Sequence, residues 1–186
     1  MYRVGFGDFF LVTFLNAGKP LHIVIDCGVF KGTTQSGDIG SIEAAVADME
    51  KVTAGQLELI IMTHRHADHI AGFARCAETF KKMKVGAVWM SIWESEYEPT
   101  ASKFQAELTR TAIGLQRHFT ALGSGATEEQ KTARKYLENA TGDPVDVAAA
   151  AQGSNAAALN LLSPTAGPPG LGPLPKKEAA PKTNPP

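Results

Sequence analysis

The chain has 186 residues, 44% hydrophobic and 20% charged, with a formal net charge of −1. This composition suits one soluble globular domain with its own core, and gives no global electrostatic reason to expect nucleic acid. No apolar run reaches the roughly 18 residues of a membrane span, and Gly5, Gly7 and Asp8 interrupt what an export signal would need, so a cytoplasmic protein is expected. Cys27 and Cys76 are too few for a disulfide scaffold and read as reduced thiols, Cys27 as a buried small side chain.

In chain order, Phe9–Leu15 and Leu21–Asp26 read as two strands of a hairpin, joined by a turn over Asn16–Pro20. The second strand ends in Asp26, Cys27 and Gly28, where Asp26 can cap the strand end. The loop from Val29 to Gly37 lies at that strand's carboxyl end; with Gly28, Lys31 and Thr33 it is a candidate substrate rim or a plain surface connection. Ser41 should then cap a helix with Ile42, Ala45, Val46, Met49 and Val52 on its inner face, stopped by Gly55. The helix returns the chain to an apolar strand, Leu57–Met62, completing a β-α-β unit.

Directly after that strand come His64, His66, Asp68 and His69, and then a helical pattern at Ile70, Phe73, Ala74, Ala77 and Phe80. Four potential metal ligands therefore share a strand-to-helix turn at the carboxyl edge of a sheet, where open α/β folds place their sites. His64 and His66, two apart in extended chain, project the same way and can share one ion; Asp68 and His69 point to a second position. Imidazole and carboxylate suit zinc, and ions roughly 3.5–4 Å apart suit hydrolysis of esters, amides or phosphodiesters. Asp68 also stands where it could cap the helix, although capping leaves three imidazoles without a purpose.

Lys81, Lys82 and Lys84 follow at the helix end, and Val85–Met90 is a further strand. Trp93 and Glu94, with Glu96, Tyr97 and Glu98, lie beyond its carboxyl end, on the edge that carries the histidines, and are candidates for the substrate rim. A long helix is expected from Thr100 to Leu122, striped by Phe104, Leu108, Leu115, Phe119 and Leu122; Thr127 and Gln130 make a capping box for another, to about Thr141. From Gly142 the chain turns alanine- and proline-rich, with eight of its eleven prolines between Pro164 and Pro186, and is expected to be disordered.

The motif His64-x-His66-x-Asp68-His69 resembles that of the metallo-β-lactamase-fold hydrolases, over about residues 1–100. The resemblance implies an α/β fold, the αββα sandwich, and a zinc-dependent hydrolase whose metal-bound hydroxide attacks an ester, amide or phosphodiester. It implies that His64 and His66 bind one zinc and Asp68 and His69 the other, that Asp68 is catalytic, and that Asp26 orients a ligand from the outer shell. Gly5, Gly7 and Asp8 resemble the opening of the competence-protein-like branch, which makes a nuclease or phosphodiesterase the alternative.

Complete members take a third histidine, a bridging aspartate and a last histidine from later strands; here only His118, Asp143 and Asp146 follow. The expected organisation is the first half of such a domain over 1–99, a helical insertion or lid over 100–141, and a low-complexity tail over 142–186. Zinc at one or partial occupancy is expected in place of two ions, as is self-association through an uncovered sheet face. A non-catalytic fragment that binds metal weakly is the reading from a different class.

Overall fold

A computed structural model describes residues 1–30, 39–95, 97–141 and 154–162. It is a mixed α/β structure built on a four-stranded sheet in the order β1-β2-β3-β4. Strands β1 (Phe9–Asn16) and β2 (Lys19–Cys27) are antiparallel; β3 (Gln56–Met62) and β4 (Lys84–Met90) run parallel to β2. The hairpin is tighter than the composition of 16–20 suggests. Asn16 pairs with Lys19 across Ala17 and Gly18, both at positive φ (50° and 79°), the two-residue turn whose twist matches the strands. Pro20 stays inside β2 because β3 pairs with β2 only from Ile23 to Ile25, so its missing N–H costs no bond on that side.

Helix α1 (Ile42–Thr53) joins β2 to β3, and α2 (Ala67–Arg75) with α3 (Ala77–Phe80) joins β3 to β4. Ser41 Oγ accepts the Ala44 N–H at 3.0 Å, and Ala54 and Gly55 end α1 with φ of 49° and 72°. Val52, expected on the inner face, is exposed; Thr53 takes the buried place, its hydroxyl donating back to the Met49 carbonyl. The helix after the histidine turn breaks at Cys76, yet Phe73 and Phe80 stay in ring contact at 4.9 Å across the break.

The core lies on the helical side of the sheet. Val24, Ile60 and Val88 stand side by side in register and pack with Ile42, Val46 and Met49 of α1, Ile70 and Phe73 of α2, and Phe80. Burying each large side chain of this set contributes about 1.5–3 kcal/mol before entropy is counted. Helices α4 (Pro99–Leu122) and α5 (Glu128–Thr141) follow, α5 opened by the reciprocal Thr127–Gln130 capping box. The expected stripe of α4 does not enter the core. Phe104, Leu108 and Leu115 remain exposed, and the small Ala101 and Ala112 are the residues it buries. The expectation of disorder from 142 onward fails at 154–162, which form α6 (Ser154–Leu162). Asn155, Ala158, Leu161 and Leu162 of this helix are buried, and it packs on α2. Residues 142–153 and 163–186, with Asp143 and Asp146, lie outside the described residues. Among the described residues no helix is long and apolar enough to cross a membrane.

The other face of the sheet is also apolar. Val12, Ile23, Leu59 and Ala87 form one lateral row across the four strands, and Phe10, Ile25, Ile61 and Trp89 form the next. Most of these side chains are half-buried by their neighbours, but Trp89 is 56% exposed and Phe14, at the hairpin end of the same face, 54%. A contiguous apolar face of this kind drives association in water. Light scattering on the purified chain is expected to show oligomers, and Trp89→Lys to shift them toward monomer; a wild-type monomer at high concentration would contradict this.

Candidate metal centre

The histidine turn is built outward from Asp26. This residue bulges out of the ladder near the end of β2, between Ile25, which pairs with Phe10, and Cys27, which pairs with Phe9. Its backbone is left-handed (φ 53°), a conformation Asp tolerates better than most residues, and it is 2% exposed. A buried carboxylate must be fully hydrogen-bonded, and three donors converge here. The Thr63 N–H donates to Oδ1 at 2.8 Å; the Thr63 hydroxyl and His69 Nδ1 donate to Oδ2 at 2.7 and 2.9 Å.

These bonds assign the imidazoles. A carboxylate only accepts, so His69 carries its hydrogen on Nδ1 and presents the Nε2 lone pair. The Thr63 hydroxyl hydrogen is spent on Asp26, so at 3.0 Å its oxygen acts as acceptor to His64 Nδ1–H. His64 thus also presents Nε2. One buried carboxylate sets the tautomer of two candidate ligands, the second through a threonine, as outer-shell partners do at metal sites.

The ligand atoms gather accordingly. Donor atoms of His64, Asp68 and His69 all lie within 4.8 Å of one another, and the His64 and His69 rings are 3.7 Å apart. Asp68 Oδ2 stands 3.6 Å from His69 Nε2. His66, expected to share an ion with His64, is not in this group. It is the exposed N-cap residue of α2, its ring 4.8 Å from that of His64. Donor atoms of a second set, Asp8, Asp26 and His69, also lie within 4.8 Å of one another, with Asp8 Oδ2 3.5 Å from His69 Nδ1. That nitrogen already holds a hydrogen bound to Asp26, so this set is the poorer cation site.

Gly7, Asp8 and Gly28 press against the turn from below. The Asp8 N–H donates to the Asp68 carbonyl at 2.9 Å, and the Gly28 N–H to the Asp8 carbonyl at 3.0 Å. A Cβ on Gly28 would lie 2.2 Å from the Asp68 carbonyl carbon, so only glycine fits. Gly28 is therefore buried packing, not the substrate rim expected of it. Lys31 and Thr33 lie outside the described residues, as does Glu96. Trp93 is half-exposed and packs on Phe104 of α4, with ring centroids 5.3 Å apart. Glu94 turns inward and pairs with Arg65 at 3.6 Å; burial pushes its carboxyl up, and Arg65 pulls it back. His118 is exposed on α4 beside Phe119.

Asn139 and Asn155, on α5 and α6, had no signal in the sequence that separated them from other polar helix residues. Asn139 Nδ2 donates to Asp68 Oδ1 at 2.8 Å while its Oδ1 accepts the Asp68 N–H at 3.1 Å; Asn155 Nδ2 donates to the Arg65 carbonyl at 2.9 Å. Both cysteines are buried and free. Burial foremost pushes their thiols up, Cys27 far up, so neither is poised as a nucleophile. A surface cavity of about 320 Å³ lined by Glu50, Gly55, Gln56 and Lys84 opens at the opposite end of β3 and β4, away from this chemistry.

Burial lowers the pKa of both His64 and His66; the neighbouring imidazoles lower His64 further, and Asp68 partly offsets the shift of His66. A histidine that gives up its proton more readily when folded adds stability that is complete above the ordinary value of 6.5. That stability is lost as pH falls through the lowered folded value. In chelator, the melting temperature should therefore fall on acidification below about 6.5, and less so in His64→Gln. A melting temperature that rises over that interval would contradict the assignment.

No protein-family profile, curated protein or solved structure matches this chain.

Proposed function

We propose that the chain is a zinc-dependent hydrolase of the metallo-β-lactamase fold. The observation that carries the reading is that His64 and His69 both present Nε2 beside the Asp68 carboxylate, each fixed from behind by the Asp26–Thr63 network. Two neutral imidazoles and a carboxylate on a strand-to-helix turn are a fitting donor set for zinc. His66, at the helix cap, is the fourth ligand of the proposal. A sheet with helices on one face and an apolar second face is consistent with one half of an αββα sandwich. Two buried, unpaired thiols suit a cytoplasmic setting.

Zinc, when bound, supplies Lewis acidity that lowers the pKa of water to near 7 and polarises the scissile group. The protein does the rest. Asp68 Oδ1 is held by Asn139, leaving Oδ2 to receive the proton of an attacking water. His64 and His69 keep their lone pairs directed inward because Thr63 and Asp26 occupy their outer nitrogens. Arg65 and Glu94 fasten the outer side of the turn.

A phosphodiesterase is the second reading, and one observation favours it. The Gly7–Asp8 segment, which resembles the competence-protein-like opening, is hydrogen-bonded directly to the ligand turn. Asp8, Asp26 and Asp68 together make the metal-free site acidic, so an anionic substrate approaches only once cations are bound.

Metal analysis should find zinc bound at less than two ions per chain, and the double variant His64→Ala, His66→Ala should lose it. Chelator-sensitive turnover of a phosphodiester, thioester or lactam that disappears in Asp68→Ala is the expected signature of hydrolysis. A chain that carries no zinc from purification and takes up none would refute the proposal.

A further inference from the structure

We propose that Asn139 of α5 is a positioning residue for Asp68, which makes the late helices α5 and α6 part of the metal site. This rests on the zinc reading above and adds to it a residue from outside the motif.

Helix α2 begins without a cap of its own: His66, at the N-cap, makes no side-chain hydrogen bond to the first turn. The N–H of Asp68, the second residue of the helix, is one of the orphan donors of a helix start. Asn139, 71 residues later, supplies the missing acceptor, its Oδ1 taking that N–H at 3.1 Å. The same amide turns its Nδ2 to Asp68 Oδ1 at 2.8 Å. One side chain thus grips the backbone and the carboxylate of Asp68 together. The geometry fixes which oxygen of Asp68 is spent: Oδ1 is engaged by the amide, and Oδ2 faces His69 Nε2 at 3.6 Å.

Asn139 is itself held. Asn155 of α6 is 2% exposed, and its Nδ2 reaches the Arg65 carbonyl at 2.9 Å and the Asn139 carbonyl at 3.4 Å. Three points of the site are therefore tied together from α5 and α6: the strand-side backbone at Arg65, the helix start at Asp68, and the Asp68 carboxylate. An outer amide that only donates to a carboxylate leaves the carboxylate charged and able to coordinate, as hydrogen-bonded outer-shell partners do. Alanine at 139 removes both grips, yet alanine favours helix, so α5 should persist.

The test is zinc titration of the full chain, using the metal alone, for wild type and Asn139→Ala, with cobalt(II) substitution as a spectroscopic readout. Zinc affinity is expected to fall about 10- to 100-fold in Asn139→Ala. The visible cobalt bands should change in position or intensity, while circular dichroism in chelator stays that of the wild type. Asn139→Gln, which keeps the amide one methylene further out, should recover part of the affinity. A wild type that binds zinc with Asn139→Ala equally tight, and unchanged cobalt bands, overturns the positioning role and leaves the zinc reading standing. A wild type that binds no zinc overturns both. If Asn139→Ala does not fold, the wild-type side-chain amide resonance of Asn139 decides: it should shift as zinc loads, and a resonance that stays still overturns the role.

Discussion

The Asp26 carboxylate is the group on which the rest of the site depends. It is buried at the end of β2 with a left-handed backbone, and three donors from Thr63 and His69 satisfy it. An unpaired carboxylate in that position would cost several kcal/mol, so the bonds are a condition of the fold as well as a feature of the site. They also run in one direction only. Because a carboxylate donates nothing, the hydrogens on Thr63 and His69 must point to it, and the lone pairs of His64 and His69 are left facing each other's side of the turn. A structural necessity of β2 thereby fixes the tautomers of two histidines on the turn after β3.

The neighbouring elements keep the turn in place around that carboxylate. From one side the Gly7–Asp8 backbone and Gly28 pack so closely on Asp68 and His69 that no side chain fits between them. From the other, α5 and α6 bond to Asp68 and Arg65 through asparagine amides. The sheet itself is asymmetric. One face is covered by α1, α2 and α3, while the other presents rows of aliphatic and aromatic side chains ending in exposed Trp89. Parallel strands are ordinarily covered on both faces, whereas among the described residues Trp89 and Phe14 of this second face are more than half exposed.

Much of this was legible in the residues. The four strands, the capping of α1 by Ser41 and the Thr127–Gln130 box follow from local chemistry that tertiary contacts do not override. That these ligand types share a strand-to-helix turn follows from their spacing, but the expected pairs, His64 with His66 and Asp68 with His69, give way to a group of His64, Asp68 and His69. What could not be read is what depends on distant contacts. Val52 and Thr53 exchange roles because a threonine hydroxyl can bond its own helix, a choice periodicity does not see. His66 stands apart from the group as the exposed N-cap residue of α2, its ring 4.8 Å from that of His64, a placement that spacing alone does not give. The α4 stripe at Phe104, Leu108 and Leu115 has the right period for burial but meets no core. Helix α6 is alanine-rich, which reads as low complexity, and it orders because α2 gives Leu161 and Leu162 a surface to cover. Asn139 lies 71 residues from Asp68, and nothing in its own surroundings announces the pairing.

In the proposed site, two imidazoles with outward Nδ1 hydrogens and a carboxylate would hold zinc on this turn. Zinc K-edge X-ray absorption of the loaded chain tests it most directly, because imidazole rings add a characteristic outer-shell scattering pattern to a first shell near 2.0–2.2 Å. At least two imidazoles and oxygen are expected in that shell, with imidazole scattering reduced in His69→Ala. A first shell of oxygen alone, unchanged by that substitution, would contradict it.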